Sequence, residues 1–274
     1  MQLVNTRLNA ASPRRESYPI NVNTMTEEIP LKDVFIEPES SISKKQFQPA
    51  SYLRRVFTIS RPIKKARLRI TTLGLYKGYV NGKPITDQVF MPGFTYYTKR
   101  LQYQVHDVIS ALQQGENVIG IVLGNGWYRG KIGVSSKRHF YGEKTKLAAV
   151  LDIEHDDGTT TTINTNEDWT ATQEGPIRKS DWKDGEVYDA RKELQGWLEP
   201  GYAEEPDIWH GIHEGTYDGT LLPSEGEPVL EHERFTPEVL VTPDGSTVLD
   251  FKQNLFGYVE FTVTGNEGHV VRLT

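Results

Sequence analysis

Four acids crowd into eleven residues of the stretch DWKDGEVYDAR: Asp181, Asp184, Glu186 and Asp189. Two carboxylates facing each other about 5–9.5 Å apart across a cleft could hydrolyse a glycosidic bond, one as acid and one as base. The spacing supplies no cleft, because Asp184-Gly185 reads as a turn and turns recruit carboxylates for their own backbone. Asp156 and Asp157 read the same way, as a hairpin tip. No catalytic residue is assigned within the chain. A zinc site has only His210 and His213 close together, in a loose acidic stretch, and there is no cysteine, so no metal ligand and no cofactor is assigned either. Acyl transfer would need a Gly-x-Ser-x-Gly elbow, which is absent.

A second group is aromatic. In LGNGWYRG (123–130), Gly124-Asn125-Gly126 could cradle a phosphate only if a strand ran into it and a helix out of it, and no helical pattern follows at Trp127, Tyr128 and Arg129. Trp127, Tyr128, Trp182 and Tyr188 could instead offer flat rings to the apolar faces of a sugar, beside acids such as Glu186. The same rings could fill a core corner next to glycines.

The elements that would hold these residues read as strands. Ala66, Leu68 and Ile70 alternate with Lys65, Arg67 and Arg69, the period of a half-buried strand. Tyr76, Gly78 and Val80 continue the alternation into Asn81-Gly82, a type I′ hairpin signal. Asn117 to Gly124 is a continuous apolar run, expected to be a strand buried on both faces. Asp157-Gly158 marks a second hairpin. Asp107 to Gln114 is predicted as a short helix, capped by Asp107 and ended by Gly115. Farther on, VLDF and GYVEFTVTG alternate as strands. The apolar HVVRLT at the end reads as an unfinished strand, and hence as a truncation inside a domain.

Composition narrows the partners. The 274-residue chain has 36 % hydrophobic and 25 % charged residues and a net charge of −6, a globular composition without the basic face that nucleic acid requires. The N-terminus lacks the apolar core of a signal peptide, and no apolar run nears the ~18 residues of a membrane span. Together with the absence of cysteine, this reads as a soluble, cytoplasmic protein with no membrane partner.

In order, YLRRVFTISRPIKKARLRITTLGLYKGYVNGKPI, MPGFTYYTKRLQYQVHDV, GENVIGIVLGNGWYRG, DGEVYDAR and DFKQNLFGYVEFTVTG make a series that resembles the N-terminal region of bacterial α-L-rhamnosidases. These are inverting glycoside hydrolases, and the likeness runs from about Ser51 to the C-terminus. It implies an all-β fold: a jelly-roll-like antiparallel β-sandwich followed by the truncated start of a second β-sandwich. The expected layout is an extended N-terminal arm (1–35), the first sandwich (36–206), a linker (207–228) and the start of the second sandwich (229–274).

The resemblance also implies that the catalytic acid and base belong to a helical barrel outside this chain, so the chain alone is expected to be inactive. A rhamnose-containing glycoside and that barrel are the implied partners of the full-length enzyme. Trp127, Tyr128, Trp182, Glu186 and Tyr188 are the candidate ligand- or interface-binding residues, with Glu186 and Tyr188 expected near the barrel. The alternative is a stand-alone carbohydrate-binding or interaction module.

Two departures from the family pattern matter. Lys252 stands in Asp-Phe-Lys-Gln-Asn where the family usually has glycine, which removes an easy positive-φ position and is expected to reshape the turn. Phe94-Thr95-Tyr96-Tyr97 replaces the usual Trp-Thr-Asp-Tyr. Some relatives bind rhamnose through calcium on this sandwich, and the missing acid at position 96 argues against such a site here.

Overall fold

The computed structural model describes residues 30–39, 49–134 and 137–273. In chain order the first strands are β1 (Phe35–Pro38), β2 (Ser51–Ile59), β3 (Ile63–Leu73), β4 (Leu75–Val80), β5 (Lys83–Pro84) and β6 (Arg100–Asp107). Then come β7 (Gly115–Gly124), the single helical turn α1 (Gly126–Arg129), β8 (Lys146–His155), β9 (Thr160–Asn164) and β10 (Thr170–Thr172). Next are β11 (Ile177–Asp181), β12 (Gly185–Tyr188), β13 (Ile212–Gly215) and β14 (Thr220–Pro223). The last are β15 (Glu238–Val241) and β16 (Thr247–Asp250). The chain divides into two compact units: one is Glu27–Glu231, and the other includes His232–Thr274.

The larger unit is a sandwich of two sheets. One has the order β13-β1-β8-β3-β6-β14 with β9 added beside β8; the other has the order β10-β2-β7-β4-β5. Pairing is antiparallel except at the β6–β14 edge, where Leu221 lies beside Leu101 in parallel register. Between the sheets Leu53, Ile119 and Ile121 meet Leu68, Ile70, Leu147 and Leu151, all essentially without exposed surface.

Each sheet is also covered on its outer face, which explains the apolar runs. In β8, Leu147, Ala149 and Leu151 face the inner core, while Ala148 and Val150 face a second cluster with Leu31, Phe35, Tyr97 and Leu101. Behind β2 and β7 lies a third cluster of Tyr52, Leu194, Trp197 and Trp209. The run Asn117–Gly124 is thus a central strand packed from both sides, as expected.

The turn signals behave as the residue chemistry demands. Asn81 and Gly82 take φ of 48° and 75° and join β4 to β5, with Val80 opposite Lys83. The Asp157-Gly158 turn joins β8 to β9, and the Asp157 carboxylate accepts the Thr159 N–H at 2.9 Å.

Four local expectations are corrected. The helix at Asp107–Gln114 shrinks to a 3₁₀ turn, Ile109–Ala111. Val108, not Asp107, is its N-cap, although the Asp107 carboxylate accepts the Ile109 N–H at 3.1 Å. Beyond it, however, the Asn117 side chain takes both the N–H and the C=O of Gln113, and Asn81 takes the Ala111 carbonyl, so the backbone is satisfied without a helix. Residues 207–228, expected as a linker, contribute β13 and β14 to the larger sheet. Leu31 and Phe35, expected in an arm, are buried in the second cluster; residues 1–29 of that arm lie outside the described residues.

The fourth correction lies in the smaller unit, whose described strands are the antiparallel hairpin β15–β16. The alternating stretches Gly257–Gly265 and Val270–Leu273 carry no strand among the described residues. Lys252 follows β16. It adopts φ 62° itself, a strained conformation for a side-chain-bearing residue. The Asp250 carboxylate steadies it by accepting the Lys252 N–H at 2.7 Å.

Candidate functional site

The chain leaves β7 through Asn125 straight into α1. Gly126 takes φ 51°, and a Cβ there would lie 2.6 Å from Leu75 Cγ, so only glycine lets the turn sit against β4. Asn125 donates to the Ser180 carbonyl of β11 at 2.7 Å and accepts from Arg129 Nε. Both residues are buried, and burial lowers the Arg129 pKa to about 10. LGNGWYRG is therefore a strand end followed by one helical turn. The helical turn corrects the expectation that no helix would follow Gly126.

On this turn Trp127 is half-buried against the second core cluster and meets a second indole. Trp182 sits at the tip between β11 and β12, its ring centroid 4.7 Å from that of Trp127 with the planes tilted 35°. Phe90 packs 4.8 Å from Trp182 and Phe94 5.9 Å from Trp127. Ring contacts continue through Tyr97 and Tyr141 to Tyr96 and Phe140. Phe94, Tyr96 and Phe140 are each more than half exposed and Trp182 is 39 % exposed, so this is an open aromatic surface at one end of the sandwich.

The loop that supplies Phe90 to Tyr97 is pinned from below. Tyr76 N donates to the Met91 carbonyl at 2.9 Å, Gln104 Nε2 to the Pro92 carbonyl at 3.1 Å, and Tyr97 Oη to the Gly93 carbonyl at 3.2 Å. Tyr76 Oη lies 3.1 Å from Gln104 Oε1 and 3.2 Å from His106 Nε2 in the core. Burial keeps that histidine neutral, lowering its pKa to about 4.

Of the five predicted residues, the structure brings Trp127 and Trp182 together. Tyr128 packs on Tyr97 at 5.4 Å and, like Trp127, against the second core cluster, and burial raises its pKa. Glu186 and Tyr188 lie along β12, which is open to solvent throughout and pairs with β11. The protein crowded around Glu186 desolvates its carboxylate and raises its pKa, although the side chain keeps open surface. Asp189 and Arg191 form a two-point pair with each other at 2.8 Å, which lowers the Asp189 pKa to about 2.

Sequence reasoning missed Phe90, Phe94, Tyr96, Phe140 and Tyr141. For all but Phe90 the signal was the density of rings in FTYYTKR and RHFYG, in segments without period.

Calcium does not fit the donor set under this surface. Position 96 presents a phenol, and the nearby Asp181 and Asp184 carboxylates are already engaged by Lys131 and Arg138. Among the described residues there is no group of three or more His, Cys, Asp or Glu side chains placed to hold a metal. Nor is any helix there long and apolar enough to cross a membrane.

A β-sandwich with both sheets covered and an aromatic face at one end is the architecture of an accessory β-domain, and the comparisons say of which kind. Residues 61–233 match the family model of the α-L-rhamnosidase N-terminal domain, and residues 240–274 match the bacterial α-L-rhamnosidase concanavalin-like domain. The chain belongs to the family of α-L-rhamnosidase N-terminal domains.

It is 36 % identical over 228 residues to an α-L-rhamnosidase of Streptomyces avermitilis, covering 82 % of this chain and 22 % of that protein. The crystal structure of a Streptomyces avermitilis α-L-rhamnosidase complexed with L-rhamnose superposes with a TM-score of 0.72 at 35 % identity, over 76 % of this chain and 20 % of that one. The native enzyme from Aspergillus terreus gives 0.77 at 35 % identity, over 81 % and 26 %. The chain thus spans about a quarter or less of the length of these relatives.

Proposed function

We propose that this chain is the non-catalytic N-terminal β-sandwich portion of an α-L-rhamnosidase, a cytoplasmic enzyme that removes terminal α-L-rhamnose from glycosides with inversion. The observation that carries this is the match of residues 61–233 to the N-terminal domain of that family. In such chemistry one carboxylic acid protonates the leaving oxygen while a carboxylate activates water from the opposite face. Both groups are assigned to a helical-barrel domain outside this chain.

On this reading the sandwich contributes a surface. Trp127 and Trp182, with Glu186 and Tyr188 on the neighbouring strand, face either the barrel or the glycoside. The decisive measurement uses this chain alone and a longer protein that includes the barrel. Hydrolysis of an aryl α-L-rhamnoside is expected only from the longer protein. Turnover by the 274-residue chain that is lost on Glu186→Gln would overturn the assignment.

The second reading, a self-sufficient carbohydrate-binding module, is favoured by one observation: two indoles lie 4.7 Å apart, and one of them, Trp182, is 39 % exposed. Titrating L-rhamnose against indole fluorescence separates the two. Saturable quenching by this chain, lost in Trp182→Ala, supports the module. No response, together with a raised KM or altered barrel docking for Trp182→Ala in the longer protein, supports the interface.

A further inference from the structure

The Trp127–Trp182 pair joins two elements that share no strand pairing, and something must hold them. Trp127 is on α1, and Lys131 and Arg138 lie on the loop that follows it. Trp182 is on the β11–β12 tip, next to Asp181 and two residues before Asp184. We propose that Lys131 and Arg138 are positioning residues for this aromatic pair, an internal pair of cations that clasps the two carboxylates and fixes the indoles without a bound metal.

The geometry is that of a closed ion quartet. Arg138 Nη1 lies 3.0 Å from Asp181 Oδ2, and its Nη2 bonds Asp184 Oδ2. Lys131 Nζ lies 2.7 Å from Asp184 Oδ1, and the Lys131 backbone N–H donates to Asp181 Oδ2 at 3.1 Å. The remaining oxygen of Asp181 accepts the N–H groups of Lys183 and Asp184 at 3.0 and 3.3 Å. Two negative charges meet two positive ones, and the Asp181 side chain has no exposed surface.

The two carboxylates that bracket Trp182 and Lys183 are thereby fixed, and with them the backbone of the tip. On the cation side, Lys131 lies four residues after Trp127. Arg138 is returned to α1 by the Ile132 N–H to Lys137 carbonyl bond and the His139 N–H to Arg129 carbonyl bond, both 3.1 Å.

Ring packing alone cannot do this work. An aromatic pair adds little beyond its buried area, and at a hairpin tip a partly exposed tryptophan needs a further hold on its backbone. Two carboxylates this close, stripped of their cations, would repel each other or draw in a counter-ion. Lys131 and Arg138 already fill that role. The inference concerns the geometry of the pair and holds whether its occupant is a sugar or a protein surface.

Exciton coupling between indoles tests it on the 274-residue chain. The part of the circular-dichroism couplet removed by Trp182→Phe reports this pair and discounts Trp197 and Trp209. That part should be unchanged in wild type by excess EDTA or by calcium. It should fall by at least half in Arg138→Gln and recover most of its strength in Arg138→Lys. Arg55→Gln, which breaks the distant Arg55–Asp168 pair, should leave it intact. Should Arg138→Gln fail to fold, Lys131→Gln removes one cation and is read in the same way. A full couplet in the folded glutamine variant, or loss of the wild-type couplet on EDTA, would overturn the proposal.

Discussion

Replacing Arg54 by methionine should cost the sandwich about 2–4 kcal/mol. Arg54 projects from β2 into the third cluster and is only 1 % exposed. Its Nε donates to the Trp197 carbonyl at 3.0 Å, Nη1 pairs with Glu204 at 2.5 Å, and Nη2 reaches the Glu199 carbonyl at 3.4 Å. The guanidinium also lies 5.0 Å from the Tyr202 ring centroid and 5.9 Å from that of Trp209. One arginine thus ties the segment around residues 197–209 to the back of the smaller sheet.

Methionine keeps the aliphatic packing and removes every donor. The orphaned Trp197 carbonyl costs about 1–3 kcal/mol, and the long Glu199 contact adds little. Loss of the cation–π contacts adds about 1–2 kcal/mol. Glu204 is 27 % exposed and can turn to water, so its stranded charge costs less than the ~3–5 kcal/mol of a fully buried pair. Against this, the mutant no longer desolvates a guanidinium, which returns about 1–4 kcal/mol.

In a unit of about 200 residues the net loss should lower Tm by roughly 5–15 °C. The readouts are a thermal melt followed by circular dichroism, and the indole emission of Trp197 and Trp209. Glu204→Gln keeps a hydrogen-bonding partner and should cost about 1 kcal/mol. A loss below about 1 kcal/mol for Arg54→Met, or a larger loss for Glu204→Gln, would refute the reasoning.

Gly120→Ala places a Cβ 2.2 Å from Leu198 Cδ2 and 2.9 Å from Trp197 Cζ3, so urea unfolding should show about 1–3 kcal/mol of destabilisation, partly relieved by adding Leu198→Ala. His106 titrates near 4 when folded against 6.5 when exposed, so the unfolded chain takes up the proton first as pH falls. Its contribution is complete above about pH 6.5 and is lost toward pH 4, by up to about 3 kcal/mol. His106→Gln should flatten that part of a stability–pH curve relative to wild type. Trp182→Ala should leave Tm of the sandwich within about 1 kcal/mol equivalent, since its ring is on the open surface, while it abolishes whichever binding the aromatic face performs.

How much of this could be read from the residues depends on how local each cause is. Asn117–Gly124 was legible because two-sided burial demands an unbroken apolar run, and Asn81-Gly82 because a tight hairpin demands positive φ from the residues themselves. The single turn of α1 was not, since four residues are too few to show a helical period. The strands β13 and β14 were hidden for the opposite reason. They lie at the edges of a sheet and keep mostly exposed faces, so acid, glycine and proline around them read as a connection. Gly257–Gly265 fails in reverse: its alternation is that of a strand, but alternation supplies no partner, and pairing is what makes a strand.

The candidate site was half legible for the same physical reason. Trp127 and Trp182 stood out as large rings beside glycines and acids, but their contact spans 55 positions and rests on ions 43 to 53 positions apart. Nothing in either local sequence announces the other. The fold does make their meeting place intelligible. Each sheet carries packing on its outer face, from Phe35 and Tyr97 on one side and Trp197 and Trp209 on the other. Open aromatic surface survives where loops close the end of the sandwich, and there the backbone is not held by a ladder of strand hydrogen bonds. Precision at that end has to come from side chains. A quartet of charges with Asp181 fully enclosed, and a core network reaching Pro92 through Gln104, are the two supports the sequence uses. Both act through the backbone that carries the rings, which is why changes at Arg138 and Gln104 should shift the geometry of the aromatic surface without altering a ring.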